Sequence, residues 1–393
     1  MYGLNKRVPK YFRAKEEQPT LPYYLLNTWF YVLAAAFVVY LVWLIAIFRR
    51  TAGHKTTQDS SEKLEPISVI VVAKNEKQNL EKLIPAILEQ EYREFELVLV
   101  DDQSWDGTHE WIHDLLPKHG NLQLVTLGES LHSSPGKKLG LTLGIKKAKY
   151  DALVFTDADC MPSSNQWLKQ MGQAYDENTA VVLGYSPYQS KSNIFNPFVR
   201  FEGFWVAWQY TAFALAGLPY MGVGRNMGYR KSKFLENKGF ASNLNVPFGD
   251  DDLLVQEIAN GQNTRAVLGP ESHVVTEPKP GPKSWGKQKR RHLSAGRHYK
   301  SKFKILLGLV WFSRAAYLII AALYFVFAEL SMVSLALAVL PLFIDWIIVA
   351  VINHKHKMFS LWYAYPLLEI IYQLLLYPLF GLITTFHPQK NGW

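Results

Sequence analysis

Apolar and polar positions divide this chain into three regimes. Residues 1–24 form a basic N-terminal tail (Lys6, Arg7, Lys10, Arg13, Lys15) with no apolar core. Residues 25–48 are almost uncharged and are closed by Arg49-Arg50, a run long enough for one helix to cross a hydrocarbon core of about 30 Å. It is too long for a signal peptide, and no small-residue cleavage site follows it. A polar linker, 49–65, leads into a region where short apolar runs alternate with helical spacing. The pattern predicts strands at 67–73, 95–100, 122–126 and from 152, with helices at 77–90, 108–116 and 137–149 between them. Repeated βα units predict a mostly parallel α/β sheet with helices on both faces, in a domain spanning 66–300. Beyond it, 301–393 turns apolar. Residues 305–312 read as an interfacial helix, and 315–328, 333–352 and 365–385 as spans, the first short unless it extends back past Arg314.

The stretch 194–218 is rich in Phe, Trp and Tyr but carries Arg200, Glu202 and Gly203, so it does not read as a span. It fits a helix at the membrane face, the lining of an acceptor groove, or an ordinary core helix. Asp345 and Glu369 fall inside predicted spans, which makes them functional candidates, with pairing to a neighbouring helix as the alternative for Asp345.

Composition sharpens this picture. Hydrophobic residues make up 49% of the 393 residues and 12 are Trp, more large apolar surface than a soluble protein carries. The net charge of +9 would suit nucleic acid, but the basic residues gather beside apolar segments, which favours an anionic membrane surface. A single cysteine, Cys160, excludes an intramolecular disulfide and a cysteine-rich zinc site.

The candidate chemistry lies where predicted strands end, the place where ligands of parallel sheets bind. Ala73-Lys74-Asn75-Glu76 follows the first strand, Asp101-Asp102-Gln-Ser-Trp-Asp-Gly107 the second, and Asp157-Ala-Asp159 the fourth. Residues i and i+2 of a strand share a side, so Asp157 and Asp159 can converge, and two hard oxygen donors suit Mg²⁺ or Mn²⁺ beside a diphosphate. A solvated acidic turn gives the same pattern. Phe248-Gly249-Asp250-Asp251-Asp252 precedes another helical run. One Asp there is explained by helix capping, whereas three invite a general base with a raised pKa. The basic segment Gln288-Lys-Arg-Arg291-His292 reads either as a membrane-surface anchor or as part of the site.

In order along the chain, these motifs resemble those of membrane-bound family 2 glycosyltransferases, the group of cellulose, chitin, hyaluronan and poly-N-acetylglucosamine synthases and ceramide glucosyltransferase. The resemblance rests on 68–76, 100–108, Gly136-Lys137, Asp157-Ala-Asp159, Gly249-Asp-Asp251 and Gln288–His292, and covers about 66–299. It implies a GT-A fold flanked by transmembrane helices, one before and about three after. It also implies roles. Asn75, Glu76, Asp101, Asp102, Lys137 and Asp157 would bind the nucleotide of a sugar donor, a UDP-sugar by preference, and Asp157 and Asp159 the metal. Asp251 would be the base, with Gln288, Arg291 and His292 closing over diphosphate and acceptor. His292 stands where processive synthases carry Trp, which argues for single transfer to a lipid-linked or membrane-proximal glycan acceptor. Processive synthesis, a catalytically silent scaffold and a nucleotidyltransferase are the rival readings. Sugar nucleotides are cytosolic, so the domain is expected on the cytoplasmic face of a cell membrane, a bacterial inner membrane by the family's distribution. The basic tail then lies on the opposite side, against the usual charge bias.

Overall fold

The computed structural model describes residues 21–55, 64–128, 137–327 and 331–386. The basic tail up to residue 20, residues 56–63 of the linker and Gly136 lie outside the described residues. Helix α1 (Leu21–Trp43) passes through a π-helical turn, Leu44–Phe48, into α2 (Arg49–Gly53), so the first apolar run forms one helical rod longer than its uncharged core.

The α/β domain follows. Strand β1 (Ile67–Ala73) leads through α3 (Lys77–Leu88) to β2 (Phe95–Asp101), then through α4 (Thr108–Leu115) to β3 (Leu122–Thr126) and through α5 (Lys137–Lys147) to β4 (Ala152–Phe155). Every residue of β1 is buried, as expected of a strand with helices on both faces. Short elements come next: β5 (Cys160–Pro162), α6 (Trp167–Gly172) and β6 (Val181–Leu183). Then come α7 (Asn196–Leu215), β7 (Met227–Arg230), α8 (Lys231–Glu236), α9 (Asp250–Ile258), β8 (Thr264–Ala266), β9 (Val274–Thr276) and α10 (Pro282–Ala295).

Seven strands form one sheet in the order β3-β2-β1-β4-β7-β6-β8, in which only β7 runs against the rest. Register decides what meets at the sheet's carboxyl edge. Ala73 lies opposite Asp101 and Phe155 opposite Ile70, so β1, β2 and β4 exit on the same side. The reversed β7 pairs Met227 with both Phe155 and Leu183, so the segment before it, with Gly222 and Gly224, enters at the point where Asp157 leaves. A separate ladder, Cys160 opposite Thr276, brings the chain after β9 beside Asp159.

Helix α7 resolves the alternatives for 194–218. Phe201, Phe204, Trp208 and Phe213 are buried in the core, and the Trp208 indole donates to the Phe48 carbonyl at 3.0 Å. The same helix lends Glu202 and Trp205 to the wall of the cavity described below, so it is a core helix and a lining at once.

The C-terminal part differs from expectation in one respect. An interfacial helix at 305–312 and a short span at 315–328 are instead a single helix, α11 (Ser301–Phe327). Arg314 does not break it because the side chain is fully buried and paired with Asp345 and Glu369. Helix α12 (Met332–His356) follows, and then α13 (Tyr365–Ile371), a second π-helical turn at Tyr372–Leu376, and α14 (Tyr377–Phe386). Four helical runs, Thr28–Gly53, Ser301–Val326, Met332–His356 and Trp362–Ile383, are long and apolar enough to cross a bilayer, consistent with a multi-pass membrane protein.

Candidate active site

The loops after β1 and β2 are knitted together by the polar residues that drew attention in the sequence. Asn75 adopts a left-handed backbone, φ 57°; its N–H donates to Ser104 Oγ at 2.9 Å, and its side-chain oxygen accepts from the Trp105 N–H at 2.9 Å. Asp101 is buried, accepts from the Ser104 N–H at 3.1 Å and lies 3.3 Å from His109 Nδ1. Asp106 accepts from the N–H groups of Lys77 and Thr108, both at 3.1 Å, and so ties the starts of α3 and α4. Asp102 is the half-buried member of this group, 3.7 Å from Lys74 Nζ.

Across the sheet edge Asp157 forms an ion pair with Lys137, at the start of α5. Burial pushes the Asp157 carboxyl up, but Lys137, Arg225 and Lys279 outweigh it and hold the group below its ordinary range. Burial likewise works against the charge on Lys137, yet Asp157, Asp250 and Asp251 together keep its amine above its ordinary value. Asp159 lies 3.7 Å from Lys279 Nζ. One carboxylate oxygen each of Asp157 and Asp159, with Cys160 Sγ, fall within 4.8 Å of one another.

The acidic triad forms the first turn of α9, entered through Gly249 at φ 79°, a conformation that favours glycine. Asp251 accepts from the Gly224 N–H at 2.8 Å and from the Asp252 N–H at 3.0 Å. Burial, with Asp250 beside it, nevertheless pushes its carboxyl up to about 6. Asp252 accepts from the Tyr299 hydroxyl.

Helix α10 closes the site. Lys289 forms a buried ion pair with Glu202 of α7, and the Arg291 guanidinium sits 5.8 Å from the Phe248 ring centre. His292 is open to the cavity but enclosed by protein. That enclosure, with Lys289, Arg225 and Arg291 nearby, holds its imidazole well below its ordinary value.

These groups surround one cavity of about 680 Å³. Its wall includes Glu76, Lys137, Asp157, Asp159, Asp251, Gln288, Arg291 and His292, and it continues to Trp311 of α11 and to Gln373 and Tyr377 of the last span. Asn75, Asp101 and Asp102 are not in the wall. The first two hold the loop in shape, and Asp102 is 3.7 Å from Lys74, which does belong to the wall. Sequence reasoning missed Lys279 and the Glu202–Lys289 pair, whose partners are far apart in the chain. It also gave no role to Arg225, which donates to Ser186 Oγ at 2.8 Å.

Residues 68–237 match the family described as glycosyl transferase family 2. The chain is 31% identical over 106 residues to the glycosyltransferase AglE of Haloferax volcanii, covering 26% of this chain and 33% of AglE. It is 31% identical over 143 residues to the 4,4'-diaponeurosporenoate glycosyltransferase of Staphylococcus haemolyticus, covering 34% of this chain and 37% of that one. The matches thus span about a third of the length of these relatives. Among solved structures, the mannosyltransferase PcManGT from Pyrobaculum calidifontis, in complex with GDP-Man and Mn²⁺, aligns over 89% of this chain and 99% of its own. The TM-score is 0.54 at 19% identity, which establishes a shared GT-A fold.

Proposed function

We propose, for a chain whose residues 68–237 match glycosyl transferase family 2, that it moves one sugar from a nucleoside-diphosphate sugar to a lipid-linked or membrane-proximal acceptor. The observation that carries this reading is the single cavity that joins the acidic cluster at the sheet edge to side chains of the membrane-spanning helices. A water-soluble donor and a membrane-held acceptor can meet there.

Asp157 and Asp159 fit Mg²⁺ or Mn²⁺, because two carboxylate oxygens converge and such hard ions favour oxygen over the neighbouring Cys160 sulfur. Bound there, such an ion supplies positive charge against the donor diphosphate. Lys137 and Arg291 add fixed cations where the leaving group gathers charge, and charge stabilised most in the transition state speeds the reaction. Asp251 takes the proton from the acceptor hydroxyl. The oxygen bonds to the anomeric carbon as the bond to the diphosphate breaks, releasing a nucleoside diphosphate. One base opposite the leaving group gives inversion. Asp102 would lie against the nucleotide base. His292, in the cavity wall, would contact the acceptor or the diphosphate. Arg49, Arg50, Lys355 and Lys357 flank the ends of spans nearest the domain, and Lys355 bonds the Ala52 carbonyl at 2.8 Å, which supports a cytoplasmic domain.

The test is donor turnover in sealed membrane vesicles with a panel of UDP- and GDP-sugars and Mg²⁺ or Mn²⁺. Inverted vesicles should consume one donor and label one lipid-soluble product of fixed size, and right-side-out vesicles should not. Asp159→Asn and Asp251→Asn should each lower turnover by about 100-fold or more. A ladder of long products would establish the polymerase reading instead, and no turnover with any donor would remove the transferase reading.

A further inference from the structure

At its membrane end the cavity wall carries polar groups with nothing to bond. Gln373 is 1% exposed, and neither the nitrogen nor the oxygen of its amide has a hydrogen-bond partner. Trp311 Nε1 on α11 and Gln288 Oε1 on α10 are likewise buried and unpartnered. All three side chains belong to the wall of the same cavity. A buried polar group left unsatisfied costs about 1–3 kcal/mol. The backbone departs from regularity at the same place, since Gln373 sits in the π-helical turn Tyr372–Leu376. Such turns are rare and concentrate at functional sites. Two unrelated costs at one position point to a ligand that offsets them.

Charge narrows the ligand. Lys289 is committed to Glu202, Lys304 at the rim bonds the Arg297 carbonyl at 3.3 Å, and Arg291 lies over Phe248 beside the acidic triad. An ionised phosphate has acceptor oxygens only and would leave Gln373 Oε1 without a donor. A hydroxyl both donates and accepts, so it suits an amide with both ends free and an indole N–H.

We propose that the membrane end of the cavity is a subsite for an uncharged, hydroxyl-bearing lipid headgroup, held by the Gln373 amide and the Trp311 N–H. It rests on the transferase reading and names the class of acceptor that reading requires. The headgroup hydroxyl donates to Gln373 Oε1 and accepts from Gln373 Nε2 or Trp311 Nε1. Tyr372 and Tyr377 supply ring surface for the sugar or the chain below it.

The full chain in phosphatidylcholine nanodiscs is titrated with dodecyl β-glucoside or dodecyl phosphate, with unfolding temperature as the readout. The glucoside should stabilise the protein and the phosphate should not. Gln373→Leu should weaken the glucoside effect by about tenfold, the loss of one or two hydrogen bonds. Trp311→Phe keeps the ring, removes only the donor, and should act in the same direction, so the test survives if Gln373→Leu fails to fold. Equal glucoside affinity in wild type and both variants, or stronger stabilisation by the phosphate, would overturn the subsite. UDP and GDP with Mn²⁺ are titrated in parallel. Glucoside binding without any nucleotide binding would sink the transferase reading and not this subsite.

Discussion

Asp251 shows how one residue can be both well bonded and strained. Its carboxylate accepts two backbone N–H bonds, which favour the charged form, yet burial and the adjacent Asp250 win, and the group titrates near 6. The sign follows directly. Below about pH 6 Asp251 is protonated and cannot take the acceptor proton, so turnover should climb tenfold per pH unit up to about 6 and level above it. A pH–rate profile under donor saturation checks this. The raised value also costs stability above pH 6, where the folded state holds a charge it disfavours by about 3 kcal/mol relative to the unfolded chain, a cost that vanishes below about pH 4. Asp251→Asn should therefore unfold no earlier than wild type at pH 7.5 while losing turnover. Asp102 and Asp101, adjacent in sequence, show the opposite lesson. Spacing alone could not tell them apart, whereas burial does: Asp101 is buried and Asp102 half-buried.

At the scale of elements, α5 explains how Lys137 is aimed. Gly140 and Gly144 lie one turn apart on the face that meets the sheet. A Cβ would come within 2.9 Å of Val72 Cγ1 at the first and 2.8 Å of Val100 Cγ2 at the second. Their absence lets the helix rest close on β1 and β2 and carries Lys137 to Asp157. Gly144→Val should lift the helix, cost about 1–3 kcal/mol by overpacking, and weaken nucleoside-diphosphate binding as Lys137 moves. Gly120→Ala, where an added Cβ meets nothing within 4 Å, should change stability by less than about 0.5 kcal/mol. Urea unfolding and a nucleotide titration on both variants check the pair. The i, i+4 glycines were visible in the sequence, but the face they occupy became meaningful only once the sheet beneath them was known.

For the whole molecule, Arg314 is the joint between membrane helices and catalytic domain. It pairs with Asp345 of α12 and Glu369 of α13, while Tyr40 of α1 donates to Asp345. Its guanidinium lies 4.7 Å from the Tyr40 ring and 4.6 Å from the ring of Trp205, which belongs to α7. Arg314→Met leaves two buried carboxylates without a counter-charge and should cost about 3–5 kcal/mol. Adding Asp345→Asn and Glu369→Gln should recover most of the loss, measured as unfolding in detergent. The pattern of the sequence determined the order of the first four strands and the helices between them, the candidate spans and the acidic motifs at strand ends, because periodicity and local spacing act within a few residues of chain. Tertiary structure decided that Arg314 lies within a span and not at its end. It also paired Lys289 with Glu202, set Lys279 by Asp159, and gave the acidic cluster and Gln373 one cavity. Each of these depends on residues brought together by packing and strand register from distant parts of the chain, and no local pattern encodes such a meeting.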